Sequence, residues 1–234
     1  ALMVTVEVDP VRVESRLAAG ELSCPSCPDG VLAGRGFARS RRVVGLADPV
    51  RPRRSRCRGC AVTHVLLPVS LLLRRAYSAE LIWAVLKAKA AGEGHRRIAT
   101  AVGIPACTVR RWLRVMGRRA EAVRQWFLGV AVAAGVDVSI PAATGTPLGD
   151  VVAAVGAARS AVVSRFGVGL ALGAVTAVSV AVACSGARLL SPGWPTVRCS
   201  TGATPFAPWP WVGSMGHRRG DDCPDNGFGR HRQR

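Results

Sequence analysis

The chain has 234 residues, with 32 Lys and Arg against 14 Asp and Glu, a formal net charge of +18 and a pI of about 11.4. That length suits one or two small domains with real cores and excludes a bare peptide motif. A balance so far from neutral points to a polyanionic partner, nucleic acid before anionic membrane.

The bland alternative is a basic protein of ribosomal type, or one whose arginines reflect its genome. Lys87 and Lys89 are the only lysines, and Ala, Gly and Val are abundant, so part of the arginine content fits high-GC codon usage. No N-terminal apolar stretch resembles a secretion signal, because Glu7, Asp9, Glu14 and Glu21 interrupt residues 1–23. The expected compartment is the cytoplasm. Four of the eight cysteines form two CxxC pairs, which in a cytosolic chain mean metal more often than disulfide.

Residues 1–22 read as a strand and a short helix, a lead-in segment without evident chemistry. Residues 23–76 read as a zinc ribbon. Cys24 and Cys27 form one knuckle, and Cys57 and Cys60 form the other. Two thiolates separated by two residues can grip one ion from a tight turn, and two such knuckles close a tetrahedral site. Such a site has no open position, so the expected Zn2+ is structural. Two disulfides or a redox CxxC are the competing readings. Gly30, Gly34 and Gly36 punctuate short β-prone runs between the knuckles, and Thr63–Leu67 reads as a closing strand. His64, four residues past Cys60, is either a substitute ligand or, preferably, a surface residue on that strand. Arg35, Arg39, Arg41, Arg42, Arg51, Arg53, Arg54, Arg56 and Arg58 surround the site, with no acidic residue from Val50 to Ala79. That face is either simply solvated or contacts phosphates.

Residues 77–128 read as a helix-turn-helix DNA-binding domain, a three-helix bundle followed by a further helix. Ser78 is the expected N-cap of the first helix and Glu80 suits its positive end. Two amphipathic helices then flank Gly103-Ile104-Pro105. Ile98, Ala99 and Val102 share one face, and Val109, Trp112 and Leu113 share another. The second helix offers Thr108, Arg110, Arg111 and Arg114 outward, a row that fits the major groove, while Arg96 and Arg97 would meet phosphates. Any packed helix pair with a glycine turn shows part of this pattern. Cys107 reads as a small semi-buried residue. A fourth helix runs from Arg118 to about Leu128 and either caps the bundle or supports a homodimer.

Residues 129–190 read as an apolar helical region, with Leu148–Arg165 an amphipathic helix. Phe166–Ala187 carries no charge for 22 residues and qualifies by length as a membrane span, although four glycines, two serines and a threonine make it weakly hydrophobic. A buried helix or helix pair fits it equally. Residues 191–234, rich in Pro, Gly and Trp, read as a disordered tail whose Cys199, His217 and Cys223 match no defensible site.

The expected fold class is therefore mainly α with a small β zinc ribbon. The motifs CPSC at 24–27, RPRRSRCRGCAVTHVLLP at 51–68 and GHRRIATAVGIPACTVRRWLR at 94–114 resemble a group of uncharacterised zinc-ribbon plus helix-turn-helix proteins of high-GC bacteria. These are often associated with mobile elements. The resemblance covers roughly residues 20–120. It implies double-stranded DNA as partner, in regulation or as an accessory to a transposase, and supplies no catalytic residue. No enzyme is expected, because Glu121, Asp137, Asp150, Asp221, Asp222 and Asp225 are the only acidic residues after the helix pair and no β-rich core surrounds them. The alternatives are a truncated transposase or recombinase that keeps its DNA-binding end, and a DNA-binding regulator tethered to the inner membrane through 166–187.

Overall fold

The computed structural model describes residues 2–27, 29–135, 138–167, 169–170 and 173–195. Its architecture is mixed α/β, with seven helices and a four-stranded sheet among those residues, where the sequence suggests a mainly α chain. The difference lies in the first residues. β1 (Leu2–Val6), the strand expected in the lead-in segment, is an edge of the sheet, whose order is β1-β4-β3-β2. It pairs in parallel with β4 (Thr63–Pro68), Leu2 opposite His64 and Val6 opposite Pro68. β3 (Arg53–Cys57) lies antiparallel to both β4 and β2 (Leu32–Phe37), with a bulge between Gly34 and Phe37.

Local chemistry explains α1 (Pro10–Ala18), which follows β1. The Asp9 carboxylate accepts the Val11 N–H at 2.9 Å, and Pro10 occupies the first turn, where no amide donor is needed. Val13 and Leu17 turn inward with Val4, Val6, Leu22, Leu32 and Leu66. Cys24 and Cys57 belong to the same buried cluster, so the cysteines and this small core are one structure. Arg16 is buried beside it and paired with Glu7 at 3.0 Å.

β4 is the seam of the molecule. Successive side chains leave a strand on opposite faces. Leu66 joins the small core, while Leu67 joins a second, larger one built by the helices. That second core begins with Val69, Leu71 and Leu72 and runs through α2 (Ala79–Ala90), α3 (His95–Val102), α4 (Ala106–Gly117), α5 (Ala120–Ala134), α6 (Pro147–Phe166) and α7 (Ala177–Cys184). Ser78 caps α2 by accepting the Leu81 N–H at 3.2 Å, and Glu80 lies in the first turn. α5 outlasts its expected end near Leu128, because Val130, Ala131 and Ala134 continue the buried stripe along α6.

The uncharged stretch 166–187 is not one helix. α6 stops at Phe166, Gly167 takes a left-handed φ of 83°, Gly169–Leu170 (β5) pairs with Gly173–Ala174 (β6), and α7 has only eight residues. The glycines that make this segment weakly hydrophobic also break it. The one described helix long and apolar enough to cross a membrane is instead α6, and 44% of its span is buried within the protein. Beyond α7 the chain packs back on α5. Trp194 is buried, its ring 5.7 Å from that of Trp126, and Arg119 donates to the Ser191 and Trp194 carbonyls. Residues 196–234, with Cys199, His217, Cys223 and the three tail aspartates, lie outside the described residues, as does Asp137.

Candidate metal centre and candidate nucleic-acid interface

The two CxxC segments sit at turns on one end of the sheet. Cys24 and Cys27 occupy the turn that closes with the Ser23–Val31 bridge, and Cys57 ends β3 before the turn into β4. All four Sγ atoms lie within 4.8 Å of one another. Cys24 stands 3.7 Å from Cys60 and Cys27 stands 3.5 Å from Cys57, too far for S–S bonds, and all four are free thiols. Cys24 and Cys57 are buried, Cys27 is half-buried and Cys60 is exposed.

Backbone amides are aimed at the sulfurs. The Ser26 N–H donates to Cys24 at 3.3 Å, and the Gly59 and Cys60 N–H groups donate to Cys57 at 3.3 and 3.4 Å. Donors favour the thiolate. The Cys60 amide, and after it the Cys27 side chain and the Gly59 amide, pull Cys57 down to about 6 against the cost of burial. The neighbouring Cys57 sulfur, then burial, pushes Cys27 up to about 12. Within this pair the surroundings favour the thiolate at Cys57 and the thiol at Cys27. A cluster of four thiols with built-in anion stabilisation is compatible with a metal site.

Two residues belong to this site beyond the cysteines. Gly30, legible in sequence only as a turn residue, is wedged among the sulfurs. A Cβ there would lie 2.3 Å from Cys27 Sγ and 2.6 Å from Cys57 Sγ. The second is His64, which is not on the surface. It is fully buried, with Nε2 3.4 Å from Cys24 Sγ, and desolvation lowers its pKa. The reason is parity. Cys57 and Ser55 share the inner face of β3, and Ser55 is paired with His64, which turns inward with it.

The arginines of the sheet divide into two groups. Arg53 is tied to the Gly36 carbonyl at 2.7 Å and to Glu14 at 3.2 Å, and both Arg51 and Arg53 lie over the Phe37 ring. Arg54, Arg56 and Arg58 alternate outward along β3 and its end and are exposed. Arg56 reaches the Ala61 carbonyl, whereas the guanidinium groups of Arg35, Arg39, Arg42, Arg54 and Arg58 have no partner among the described residues.

A second basic surface lies on α3 and α4. Gly103 joins them with φ 66° and ψ 31°, a left-handed conformation open to glycine without a Cβ penalty. Ile104 is buried after it, and Ile98, Ala99, Val109, Trp112 and Met116 face the core, with Trp112 edge-on to Tyr77 at 5.0 Å. Arg96, Arg97, Arg110, Arg111 and Arg114 are exposed and form no ion pair with any described residue, while Thr108 is half-buried. Cys107 is exposed rather than semi-buried, because it precedes the buried stripe that starts at Val109. Arg75 and Arg119 lie half-buried nearby, without a carboxylate partner among the described residues. Desolvation lowers the pKa of each, and repulsion from Arg111 and Arg75 respectively adds to it. Both donate to carbonyls far along the chain, Arg75 to Leu190 and Arg119 to Ser191 and Trp194, and nothing local in the sequence marks them. Glu121 and Asp150 are each engaged locally, with Arg124 and Gln125 and with Thr144. No family model, no curated protein and no solved structure matches this chain.

Proposed function

We propose that this is a zinc-stabilised helix-turn-helix DNA-binding protein of the cytoplasm, serving as a transcriptional regulator or as an accessory of a mobile element. One observation carries the reading: α4 buries Val109, Trp112 and Met116 while presenting Arg110, Arg111 and Arg114 to solvent without a carboxylate partner among the described residues. A helix with one apolar face fixed and one arginine row free is shaped for a major groove, where Arg can donate bidentately to guanine. Arg96 and Arg97 contact phosphate from α3, and Thr108 lies at the start of the reading helix. Half-buried Arg75 and Arg119 raise the positive potential behind that face.

Zn2+ suits the four thiolates of Cys24, Cys27, Cys57 and Cys60 better than a hard cation, and four sulfurs leave no position for substrate. The metal supplies structure: it ties the β3–β4 turn to the turn at Cys24. The arginine row at Arg54, Arg56 and Arg58 adds phosphate contacts. Any strand cutting would come from a partner such as a transposase, and homodimerisation would match a palindromic site.

The test is a binding titration on the DNA site enriched from a random library. With roughly six phosphates neutralised, log K falls with log salt at a slope of about −5. Arg110→Ala or Arg111→Ala costs about 1–3 kcal/mol if the residue reads a guanine. Equal binding by wild type and a joint Arg110/Arg111/Arg114 alanine variant sinks the reading. A second reading, the same module held at a membrane, is favoured only by the length and composition of α6. Its test is fractionation: recovery without detergent removes it.

A further inference from the structure

His64 is a polar group in a place where packing alone gives no reason for one. It has no exposed surface, and its neighbour along the inner face of β4 is Leu66. Among the described residues its Nδ1 has no partner, and neither does Oγ of Ser55, the residue paired with it across β3 and β4. An unpaired buried polar atom is unfavourable, and an apolar side chain of similar size would avoid it. What His64 does have is a sulfur: Nε2 lies 3.4 Å from Cys24 Sγ, a distance that suits a hydrogen bond. It is not a fifth member of the cluster, because the mutually close group consists of the four cysteine sulfurs alone.

The sulfurs also differ among themselves. Cys57 receives two backbone amides and Cys24 receives one, from Ser26. An imidazole N–H on Nε2 would supply the second donor that Cys24 otherwise lacks. Four thiolates around a divalent ion carry surplus negative charge, and each N–H···S bond draws part of it off.

We propose that His64 is a positioning residue of the metal centre: its Nε2–H donates to the Cys24 thiolate, orienting that ligand and strengthening its hold on the ion. This inference rests on the metal reading above. It assigns the proton to Nε2 and leaves Nδ1 bare on the inner side of the sheet. It also makes the centre unequal, with Cys24 clamped from both backbone and side chain and Cys60 exposed at the rim.

The experiment uses the full chain under reducing conditions, loaded with Co(II) as an optical probe and with Zn2+ in competition against a chelating dye. Wild type gives the absorption of a tetrahedral four-sulfur site. His64→Phe keeps that coordination, shifts the sulfur-to-cobalt charge-transfer band and binds zinc about 10–100-fold more weakly. His64→Gln, whose amide can donate, recovers part of the loss. Unchanged affinity and an unmoved band in His64→Phe overturn the inference. So does a wild-type spectrum of three sulfurs and one nitrogen, which would make His64 a ligand. Nitrogen NMR of the zinc-loaded wild type decides without any variant: a proton on Nε2 is the expected result, and a proton on Nδ1 overturns the proposal. Wild type that takes up no cobalt removes the metal reading and the inference with it. Wild type that binds, beside a His64→Phe that binds equally, removes the inference alone.

Discussion

The two cores of this protein are held together by different means. The one under the sheet has nine buried residues, two of them cysteines of the cluster, whereas the helical one has thirty-seven. Seven aliphatic side chains and two cysteines are a small core for the ordering of roughly sixty residues, and a metal held by the cysteines, as proposed above, would add to it. The helical core needs none. Its Val, Ala and Leu stripes on α5, α6 and α7 close against each other, with Phe127 fully buried among them. The comparison teaches where each part of the chain is vulnerable: the sheet to disruption of its cysteine cluster, the helices to loss of volume.

The largest expected effect breaks the molecule along that line. Stripping the metal with a chelator, or substituting Cys57→Ser, removes the sheet while α2 to α7 stay folded. Circular dichroism then shows helical signal with a cooperative melt, and amide exchange protection vanishes from β1 to β4. A single transition unaffected by chelation would mean that the two cores are one. Next comes Phe127→Ala, which costs about 3–5 kcal/mol by denaturant titration and leaves zinc stoichiometry unchanged. Lost zinc binding in that variant would show the sheet leaning on the helices. Gly30→Ala tests the reverse. Its Cβ would fall within 2.6 Å of two sulfurs, so the turn must open. A cost of about 1–3 kcal/mol is expected, confined to the sheet and accompanied by weaker metal uptake. The smallest effect is Asp150→Asn. Its carboxylate accepts the Thr144 N–H at 2.7 Å and Oγ1–H at 2.8 Å, and these bonds hold its pKa below 3.8. The folded pKa is depressed, so this contribution is present above pH 3.8 and fades as pH falls below it. The Asn variant should lose a slight thermal margin at neutral pH and show a flatter decline in acid, with the sheet untouched.

How legible these regions were follows from the range of the interactions. The cysteine spacing is local, and the four sulfurs do converge. Helix caps are local too, so Ser78 and the Gly103 turn fall where the residues imply. The pairing of β1 with β4 joins segments far apart in the chain, and no period within residues 1–22 announces it. His64 escaped for a related reason. In the run Thr63-His64-Val65-Leu66-Leu67 two neighbouring leucines are both buried, one in each core, so hydrophobic alternation does not say which parity faces the sulfurs. The register against β3 does say so, since Cys57 fixes the inward face and Ser55 carries it to His64. The misplaced span at 166–187 shows the limit of composition: charge alone does not reveal a chain break, but Gly167 at the end of a 20-residue alanine-rich helix is a stop signal of the ordinary kind.

The parallel pairing of the first strand has a consequence for how the chain is made. β1 leaves the ribosome about sixty residues ahead of the strand it pairs with. At about 5–20 residues per second it spends several seconds with unpaired amides and carbonyls and with Val4 and Val6 uncovered. The second cysteine turn, Cys57 to Cys60, emerges just before β4. On the proposed metal reading, ion capture and strand pairing fall at nearly the same moment of synthesis. Metal supply during translation, rather than after it, would then govern how many nascent chains reach the closed sheet before their exposed edge finds another copy.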